Sequence, residues 1–428
     1  MFNLIKNKKK LDFKSTLKKN KIINFSKKNL FVSKKELVRK NTTDFIKISL
    51  SFFFAGFSTF SILYCVQPIL PIFSKEFNLT PSQSSLSLSA TTITMAIGML
   101  FTGSFSDFFG RKKVMTISLL ISAVLTILCS MVNNWNEIII MRLLIGLALS
   151  GVTAVGMSYL SEEIHSNDLS FSIGLYIGGN TFGGFIGRFL SAIIGSYFSW
   201  KVVFLTIGIF SFFSTTIFLL MLPKSKNFKS ISLNYISFVN SFLFHLKDRA
   251  LIILFIIGFI LMGSFITLFN YIGYRLMISP FFLDPNLISL LSIVYLTGVY
   301  TSPKAGALIK HYNRSTILIF SFFIMLIGLT ITQLNNYFSI FLGLTLFSGG
   351  FFSAHSIASS SIGYRVKKAK GQASSMYLIS YYFGASILGT IGGLFWLFGS
   401  WIGVSIFVLN LLLIGIFLSL KLQKMLKL

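Results

Sequence analysis

The stretch Gly103-Ser-Phe-Ser-Asp-Phe-Phe-Gly-Arg-Lys-Lys113 lies between two long apolar segments. Its two glycines, one acid and three basic residues make a short polar turn. Two membrane-spanning helices need such a turn where one leaves the bilayer and the next enters it, and basic residues are typical of the cytoplasmic side. The stretch therefore predicts a membrane protein in which this turn joins two neighbouring spans.

Composition supports the same class. Hydrophobic residues make up 54% of the 428 residues and charged residues only 11%, whereas soluble domains carry about 25% charged residues. Apolar stretches recur with lengths near ~20 residues, enough to cross the bilayer as a helix. The short alternating segments of a β-barrel are absent. Because backbone groups in lipid must bond within their own segment, the sequence predicts an all-α membrane protein.

Twelve transmembrane helices can be placed in two six-helix halves. The runs 315–364 and 371–420 contain no Asp, Glu, Lys or Arg. Each is too long for one helix and breaks midway, at Asn335-Asn336 and at Gly399-Ser400. The predicted spans are 46–73, 83–106, 113–132, 137–160, 169–192, 200–222, 250–274, 287–308, 315–333, 337–362, 371–396 and 400–420.

The loop charges predict the orientation. Basic residues concentrate in alternate loops, and this side is expected to be cytoplasmic together with both termini. Glu162, Glu163 and Asp168 make one of these loops acidic, but acidic residues contribute little to the rule. The expected basic groups are Arg111, Lys112, Lys113, Lys224, Lys226, Lys229, Lys310, Arg314, Arg365, Lys367, Lys368, Lys370, Lys421, Lys424 and Lys427.

The net charge of +27 does not indicate a nucleic-acid partner, because much of it lies in the tail and the rest in loops beside spans. Such tails are attracted to anionic membrane lipid, and the abundance of Lys, Asn, Ile and Phe is also typical of AT-rich coding. The predicted organisation is a disordered basic tail over 1–45, an N-terminal half over 46–222, a cytoplasmic linker over 223–249, a C-terminal half over 250–420 and a basic tail over 421–428.

The pattern Gly-x-x-x-Asp-x-x-Gly-Arg-Lys-Lys resembles the loop after the second helix in the major facilitator superfamily of transporters. In that family the loop latches the two halves together when the outside is open. The resemblance assigns a gating role to Gly103, Asp107, Gly110, Arg111 and Lys112. Phe108 stands where the family usually has a basic residue.

The C-terminal half carries a degraded copy of this loop, from Gly306 to Arg314, in which Lys310 replaces the acid and Asn313 a glycine. Glycines repeat as well and are expected to let helices pack closely. These packing glycines are Gly179, Gly183 and Gly187 in the fifth span, and Gly389 and Gly393 in the eleventh.

Two arginines fall inside predicted spans. Arg142 with Gly146 resembles the family's fourth-span motif, in which the Arg is associated with proton coupling; the alternative is an Arg that snorkels to water. The fifth span resembles the antiporter motif of the family, but Gly184 replaces its Pro and Arg188 its last Gly. Arg188 could bind an anionic group of a substrate, pair with an acid, or lie at the outer end as a structural residue.

Five further polar residues at mid-membrane depth are candidates for substrate binding: Gln67, Asn180, Asn270, His355 and Tyr381. A lone His such as His355 is also compatible with helix packing. No Asp or Glu lies deep in a predicted span, which weakens proton coupling. Cys and His do not cluster at metal spacing and no catalytic motif is present, so we expect neither metal, cofactor nor enzymatic activity.

The sequence thus predicts a secondary transporter that works by alternating access, similar to arabinose- or drug-efflux-like proteins of the bacterial inner membrane. The predicted activity is efflux of a small organic solute by a monomer, with protons as the candidate coupling ion. The alternatives are uptake of a sugar, amino acid or organic anion on the same fold, and a non-transporting scaffold or receptor.

The loop charges yield a prediction about topology. A cytoplasm-dependent fluorophore fused after Leu428 should be bright, and alkaline phosphatase, which is active only in the periplasm, should be inactive at the same site. The opposite pattern would contradict the predicted model of twelve spans with both termini in the cytoplasm.

Overall fold

The structure, a computed structural model, describes residues 37–228, 243–284, 287–288, 290–366 and 370–426. Most of the predicted N-terminal tail, residues 229–242 of the predicted linker and the last two residues lie outside the described part. Within it the regular secondary structure is helical, apart from one backbone bridge between Val38 and Ile164. The predicted all-α class is confirmed.

The helices follow the predicted spans along the whole described chain. In the N-terminal half they are α1 (Thr43–Tyr64), α2 (Leu70–Glu76), α3 (Pro81–Phe109), α4 (Arg111–Cys129), α5 (Trp135–Glu163), α6 (Ser166–Tyr197) and α7 (Trp200–Met221). In the C-terminal half they are α8 (Arg249–Met277), α9 (Thr297–Leu308), α10 (Arg314–Ile331), α11 (Tyr337–Arg365) and α12 (Lys370–Leu426).

Nine helical stretches of the described residues are long and apolar enough to cross a membrane. The last of them holds two predicted spans, because Gly399 and Ser400 break α12 with non-helical backbone angles. The break between α10 and α11 also falls where it was expected, at Asn336, whose side chain caps α11 by accepting from the amide of Phe338 at 2.8 Å.

Three boundaries differ from the prediction. The first span is interrupted: α1 ends at Tyr64, a 3-10 turn covers Gln67–Ile69, and α2 follows, since Pro68 and Pro71 lack the amide hydrogen that a continuous helix needs. The eighth span begins as a 3-10 helix at Leu290–Leu296 before α9. At the C-terminus α12 continues to Leu426, so the predicted tail is largely helical.

Glycines bring α1 and α6 into backbone contact. A Cβ atom added at Gly179 would lie 2.1 Å from the carbonyl oxygen of Phe53, and one added at Gly183 would lie 2.2 Å from that of Phe57. Gly187 packs one turn further along α1. These distances leave no room for a methyl group, so the stripe of small residues sets how closely the two helices approach.

The C-terminal half repeats this packing between α8 and α12. A Cβ atom added at Gly384 would lie 2.0 Å from the carbonyl oxygen of Phe259. At Gly389 the nearest atom would be a methyl carbon of Ile266 at 2.9 Å. The two halves therefore use equivalent helix pairs, joined by small residues.

The halves meet at the end of the bundle that holds Trp200, here called the Trp200 end. Ser89 and Ser386 exchange hydrogen bonds from each hydroxyl to the other's carbonyl, both at 3.0 Å. The hydroxyl of Ser82 donates to the carbonyl of Thr390 at 2.9 Å. A Cβ atom added at Gly393 would lie 2.5 Å from the Cα of Ser82. The predicted packing glycine of the eleventh span thus serves the contact between halves.

The opposite end, which holds Arg111 and is here called the Arg111 end, differs. A Cβ atom added at Gly103 would have no neighbour within 4 Å, and the side chains of Phe105 and Phe108 are exposed. Helix α3 is therefore packed against α12 at the Trp200 end, whereas the Cβ position of Gly103 near the Arg111 end faces open space.

These contacts yield a prediction about stability. Gly179→Ala should lower the free energy of unfolding by ~1–3 kcal/mol, because its methyl group overpacks the α1–α6 contact. Gly103→Ala is the matched control, since the added methyl group there meets open space. Thermal unfolding of the purified protein in detergent measures both. Equal melting temperatures would contradict the tight contact.

Candidate functional site

Of the predicted gating residues, Asp107 pairs with Arg111 at the Arg111 end. Its guanidinium bonds to the carboxylate of Asp107 at 2.6 Å, to that of Glu162 at 2.8 Å and to the hydroxyl of Ser106. Gly110 turns the chain from α3 into α4 with φ 96°, a value that glycine adopts without strain. The sequence analysis missed Glu162, although an acid in a loop expected to be basic was a signal of a specific partner.

The same loop also binds the end of the sixth span. The ammonium of Lys112 donates to the carbonyl of Leu222, just past α7, where a helix C-terminus favours a positive charge. Nearby, the hydroxyl of Tyr159 donates to the carbonyl of Pro223 at 3.0 Å. In this conformation the loop therefore ties the helices of its own half together.

The equivalent loop of the C-terminal half is built with different chemistry. Arg314 donates to the hydroxyl of Ser360 at 2.8 Å and lies over the ring of Tyr364, with its central carbon 4.9 Å from the ring centre. Tyr364 is one residue before the end of α11, as Glu162 is one before the end of α5. An aromatic face therefore replaces the carboxylate.

An ion pair at the start of α8 belongs to the same end of the C-terminal half. Arg365 donates to the carboxylate of Asp248 at 2.7 Å. Partial burial raises the pKa of Asp248, but the hydrogen bonds from Arg365 and from the amides of Ala250 and Leu251 outweigh that effect and hold the pKa below its ordinary value. The carboxylate is therefore charged at neutral pH and caps α8.

Arg142, the predicted coupling residue, is fully buried and bound by backbone. Its Nη1 and Nη2 donate to the carbonyls of Ile62 and Leu63, each at 2.9 Å, and its Nε donates to the carbonyl of Ser87 at 2.8 Å. Ile62 and Leu63 lie in the last turn of α1, where carbonyls lack a partner within the helix. Arg142 thus satisfies the backbone at the break of the first span.

Gly146 lies one turn after Arg142 and permits the close approach that this geometry needs. A Cβ atom added there would lie 2.1 Å from the carbonyl oxygen of Thr91 in α3. The hydroxyl of Thr91 in turn donates to the carbonyl of Arg142 at 3.0 Å. The fourth-span motif therefore joins α5 to α3 and to the end of α1.

Arg188 lies at the seam between the two halves and is 5% exposed. Its central carbon is 4.0 Å from the ring centre of Tyr64 on one side and 4.0 Å from that of Tyr295 on the other. Its Nε donates to the side-chain oxygen of Gln67 and its Nη1 to the carbonyl of Gly184, both at 2.7 Å. Nη2 makes no hydrogen bond to a described residue, and no carboxylate pairs with this guanidinium in the described chain.

Gln67 extends the contact into the C-terminal half. Its amide nitrogen donates to the side-chain oxygen of Asn270 at 2.7 Å, and the buried amide nitrogen of Asn270 has no hydrogen-bond partner within the described chain. A pocket opens beside these side chains. Apart from Gln67, Arg188 and Asn270, most of the side chains that line this pocket are apolar. The full lining is Gln67, Pro68, Pro71, Ile72, Arg188, Phe269, Asn270, Ile272, Gly273, Met277, Ile288, Leu291, Ser292 and Tyr295.

The remaining candidates lie elsewhere. His355 and Tyr381 share an aromatic cluster, with ring centres 4.6 Å apart. Asn180 lies at the α1–α6 contact, where its buried side-chain oxygen accepts no hydrogen bond from a described residue. Two residues of the Arg188 site, Tyr64 and Tyr295, were missed as site residues by the sequence analysis, because nothing in a single sequence distinguishes a tyrosine at the seam from one in the core.

Comparison with known proteins agrees with this architecture. A family model described as Major Facilitator Superfamily matches residues 52–284. The chain belongs to the major facilitator superfamily. An uncharacterized transporter of Buchnera aphidicola subsp. Schizaphis graminum is 59% identical over 391 residues, covering 91% of this chain and 95% of that protein. The inner membrane transport protein YnfM of Escherichia coli is 50% identical over 389 residues, covering 91% and 93%.

The fold matches a solved structure of the superfamily's architecture. A bacterial homologue of the human lysosomal transporter Spinster, solved in an inward-facing and unoccupied conformation, aligns with a TM-score of 0.70 at 12% identity, over 90% of this chain and 98% of that one. Shorter stretches match the niacin transporter NiaP and a benzoate transport protein of Acinetobacter baylyi, at 30% and 28% identity over 33% of this chain in each case.

These findings confirm a multi-pass inner-membrane transporter of the major facilitator superfamily that binds a small solute and is not an enzyme. Of the two span arginines, Arg142 donates to three backbone carbonyls, one from each of its nitrogens, whereas Nη2 of Arg188 has no hydrogen-bond partner among the described residues. The two positions that the sequence treated alike therefore have different surroundings.

The geometry of Arg142 yields a prediction. Arg142→Leu should lower the melting temperature strongly, because each buried carbonyl left without a donor costs ~1–3 kcal/mol. Arg142→Lys should be intermediate, since it keeps the charge but loses the fork of donors. Lys304→Gln, at an exposed position, serves as the control. Wild-type melting of Arg142→Leu would show that the arginine does not stabilise the broken span.

Proposed function

We propose that this protein is a secondary active carrier of small organic anions, and that Arg188 binds the carboxylate of the substrate. The observation that supports the proposal is that the Arg188 guanidinium is buried without a described counter-ion. It is buried at the seam between the halves, and among the described residues it has neither a carboxylate partner nor a hydrogen-bond acceptor for its Nη2.

A buried charge without a counter-ion is expensive and marks function in membrane proteins. The rings of Tyr64 and Tyr295 and the bonds to Gln67 and Gly184 compensate part of this cost, but they supply no negative charge. A substrate carboxylate would supply it and could use the planar donor fork. The same charge repels cations, which argues against the cationic drugs that the efflux analogy would suggest.

The rest of the pocket indicates what kind of anion fits. Phe269, Ile288, Leu291 and Pro68 present apolar surface next to the polar group formed by Arg188, Gln67 and Asn270. Such a site suits a molecule with one carboxylate and a small apolar or aromatic body. Benzoate and niacin, the substrates in the names of two partial relatives, are aromatic monocarboxylates of this kind.

The site lies where alternating access would expose it. Arg188 with Tyr295, and Gln67 with Asn270, are contacts across the halves, so they would separate when the Trp200 end opens. We propose that the halves then close at the Arg111 end, where Gly103 has space for an approaching helix and the Asp107–Arg111–Glu162 group lies beside it. With the Arg111 end in the cytoplasm, the present conformation faces inward.

The direction of transport remains a prediction. The glycines of the fifth span predict efflux by their likeness to antiporters, but Gly184 and Arg188 stand at the two positions that depart from that pattern. We propose uptake, the alternative direction. An inside-negative potential opposes anion entry by about 2.3 kcal/mol per charge at 100 mV, so an uptake carrier for anions needs a cation that moves with the substrate.

The test is a binding measurement on the purified carrier. Radiolabelled niacin and benzoate should bind the wild type in competition with each other. Arg188→Gln should weaken binding at least about tenfold, because it removes a charged hydrogen bond worth ~1.5–3 kcal/mol. Arg188→Lys should retain part of the affinity, and Lys304→Gln, which removes one exposed charge, should bind normally. Accumulation in right-side-out rather than everted vesicles checks the direction.

The proposal is contradicted if Arg188→Gln binds both acids as tightly as the wild type while its melting temperature is unchanged. Preference of the wild type for a lipophilic cation such as tetraphenylphosphonium over all carboxylates would contradict it equally. Normal binding by Lys304→Gln is required in either case, because it separates the loss of this one charge from a general change in net charge.

A further inference from the structure

Every Asp and Glu of the described chain lies in a loop or within the first or last turns of a helix. A carrier that couples transport to protons needs a group that can hold one inside the bundle. These peripheral acids are Asp44, Glu76, Asp107, Glu137, Glu162, Glu163, Asp168, Asp248 and Asp284. Histidine is the side chain whose ordinary pKa lies near neutral pH. Of the histidines in the described chain, His355 in α11 is the one that lies in the middle of a span.

His355 has one ring nitrogen fixed and one available. Its Nδ1 shares a hydrogen bond of 2.9 Å with the hydroxyl of Tyr377. The ring stacks on Phe351, at 6.0 Å between ring centres, and packs on Tyr381, at 4.6 Å. Its Nε2 makes no hydrogen bond to a described residue, and the side chain is half-buried. The ring is thus held in place through Nδ1, while the lone pair of Nε2 is not used by a described residue.

Among the described residues, the side chains that contact this imidazole from the neighbouring helices carry no formal charge. Tyr377 and Tyr381 face it from α12, and Phe351 lies one turn before it in α11, stacked in turn on Phe265 of α8. Phe265 also contacts Tyr295, at 5.3 Å between ring centres, and the ring centre of Tyr295 lies 4.0 Å from the central carbon of the Arg188 guanidinium. A series of three aromatic rings, those of Phe351, Phe265 and Tyr295, therefore connects the candidate proton site to the proposed anion site.

We propose that His355 carries the coupling proton and that the anion and the proton move together. The inference rests on the proposed function, because it needs an anion at Arg188. While the site is empty, the fixed charge of Arg188 disfavours a second positive charge on His355. A bound carboxylate cancels that effect and attracts the imidazolium, so each ligand strengthens binding of the other by the same factor.

The transport cycle then balances in charge. Water on the outer side gives a proton to Nε2 of His355 as the monoanion binds Arg188, so the pair that crosses is neutral. After the halves rock, the anion leaves to the cytoplasm, the attraction is lost, and Nε2 returns its proton to water on that side. Acid outside should therefore drive uptake, and the membrane potential should have little effect on it.

The experiment uses the full-length carrier in proteoliposomes with radiolabelled niacin as the probe, and protein-free liposomes to subtract passive permeation. Two rates are measured: exchange of external for internal niacin at equal pH, and accumulation driven by an acidic exterior. The wild type should do both. His355→Gln keeps a polar side chain of similar size but has no nitrogen that takes up a proton. This variant should therefore still exchange niacin at equal pH, but it should no longer accumulate niacin in response to an acidic exterior.

Tyr377→Phe provides a second variant that keeps the imidazole. It removes the partner of Nδ1, so accumulation should persist with its pH profile displaced from that of the wild type. An unchanged profile would count against the role of the His355–Tyr377 pair. Melting temperatures of both variants, measured beside that of the wild type, identify any loss that comes from unfolding.

The outcomes separate this inference from the proposed function. If the wild type exchanges neither niacin nor benzoate, the anion carrier itself is wrong. If the wild type exchanges niacin but an acidic exterior does not drive accumulation, only the proton coupling is wrong. Accumulation by His355→Gln at the wild-type level would overturn the assignment of His355, as would loss of exchange together with loss of accumulation in a folded variant.

Discussion

The fold depends on how the break in the first span is satisfied inside the membrane. Carbonyls at the end of α1 have no helical partner, and unsatisfied backbone groups cost several kcal/mol in lipid. Arg142 reaches from α5 and binds the carbonyls of Ile62 and Leu63. The chain can then leave the helix at Tyr64 and form the 3-10 turn at Gln67. Tyr64 and Gln67 both contact Arg188. By stabilising the break that precedes Gln67, Arg142 therefore helps to position two residues of the proposed site.

The two halves share a packing scheme but differ in charge. Small residues bring α1 onto α6 and α8 onto α12 in the same way. At the Arg111 end, however, an arginine bound by two carboxylates in one half corresponds to an arginine over a tyrosine ring in the other. At the seam, Arg188 of the fifth span contacts the ring of Tyr295 from the C-terminal half. The repeated helix packing gives the two halves the similar shapes that alternating access requires. Their unequal charges leave a positively charged guanidinium, that of Arg188, at the seam.

The hydrogen bonds that join the halves at the Trp200 end are short and link uncharged groups. Serines and threonines of α3 and α12 exchange hydrogen bonds at the Trp200 end, and net hydrogen bonds of this kind contribute only about 1 kcal/mol each. They can be exchanged for other contacts at modest cost, which suits an interface that forms and separates in every cycle. By contrast, the ion pairs and the Arg142 network lie within a half, where they hold the helices of that half together.

Hydropathy and loop charge in the sequence determined the class, the helix positions and the loop at Gly103, because burial in lipid acts on each span separately and leaves a local signal. The glycines of the fifth span predicted a close helix contact for the same reason. Sequence also found Gln67, Asn270 and Arg188, but only as polar residues in apolar surroundings. Tertiary structure decided that these three meet, that Tyr64 and Tyr295 enclose the guanidinium, that Arg142 binds backbone, and that Glu162 joins Arg111. Those contacts depend on which residues of distant spans lie at the same depth in the bundle and face each other. The sequence of one span does not indicate which residue of another span it will meet.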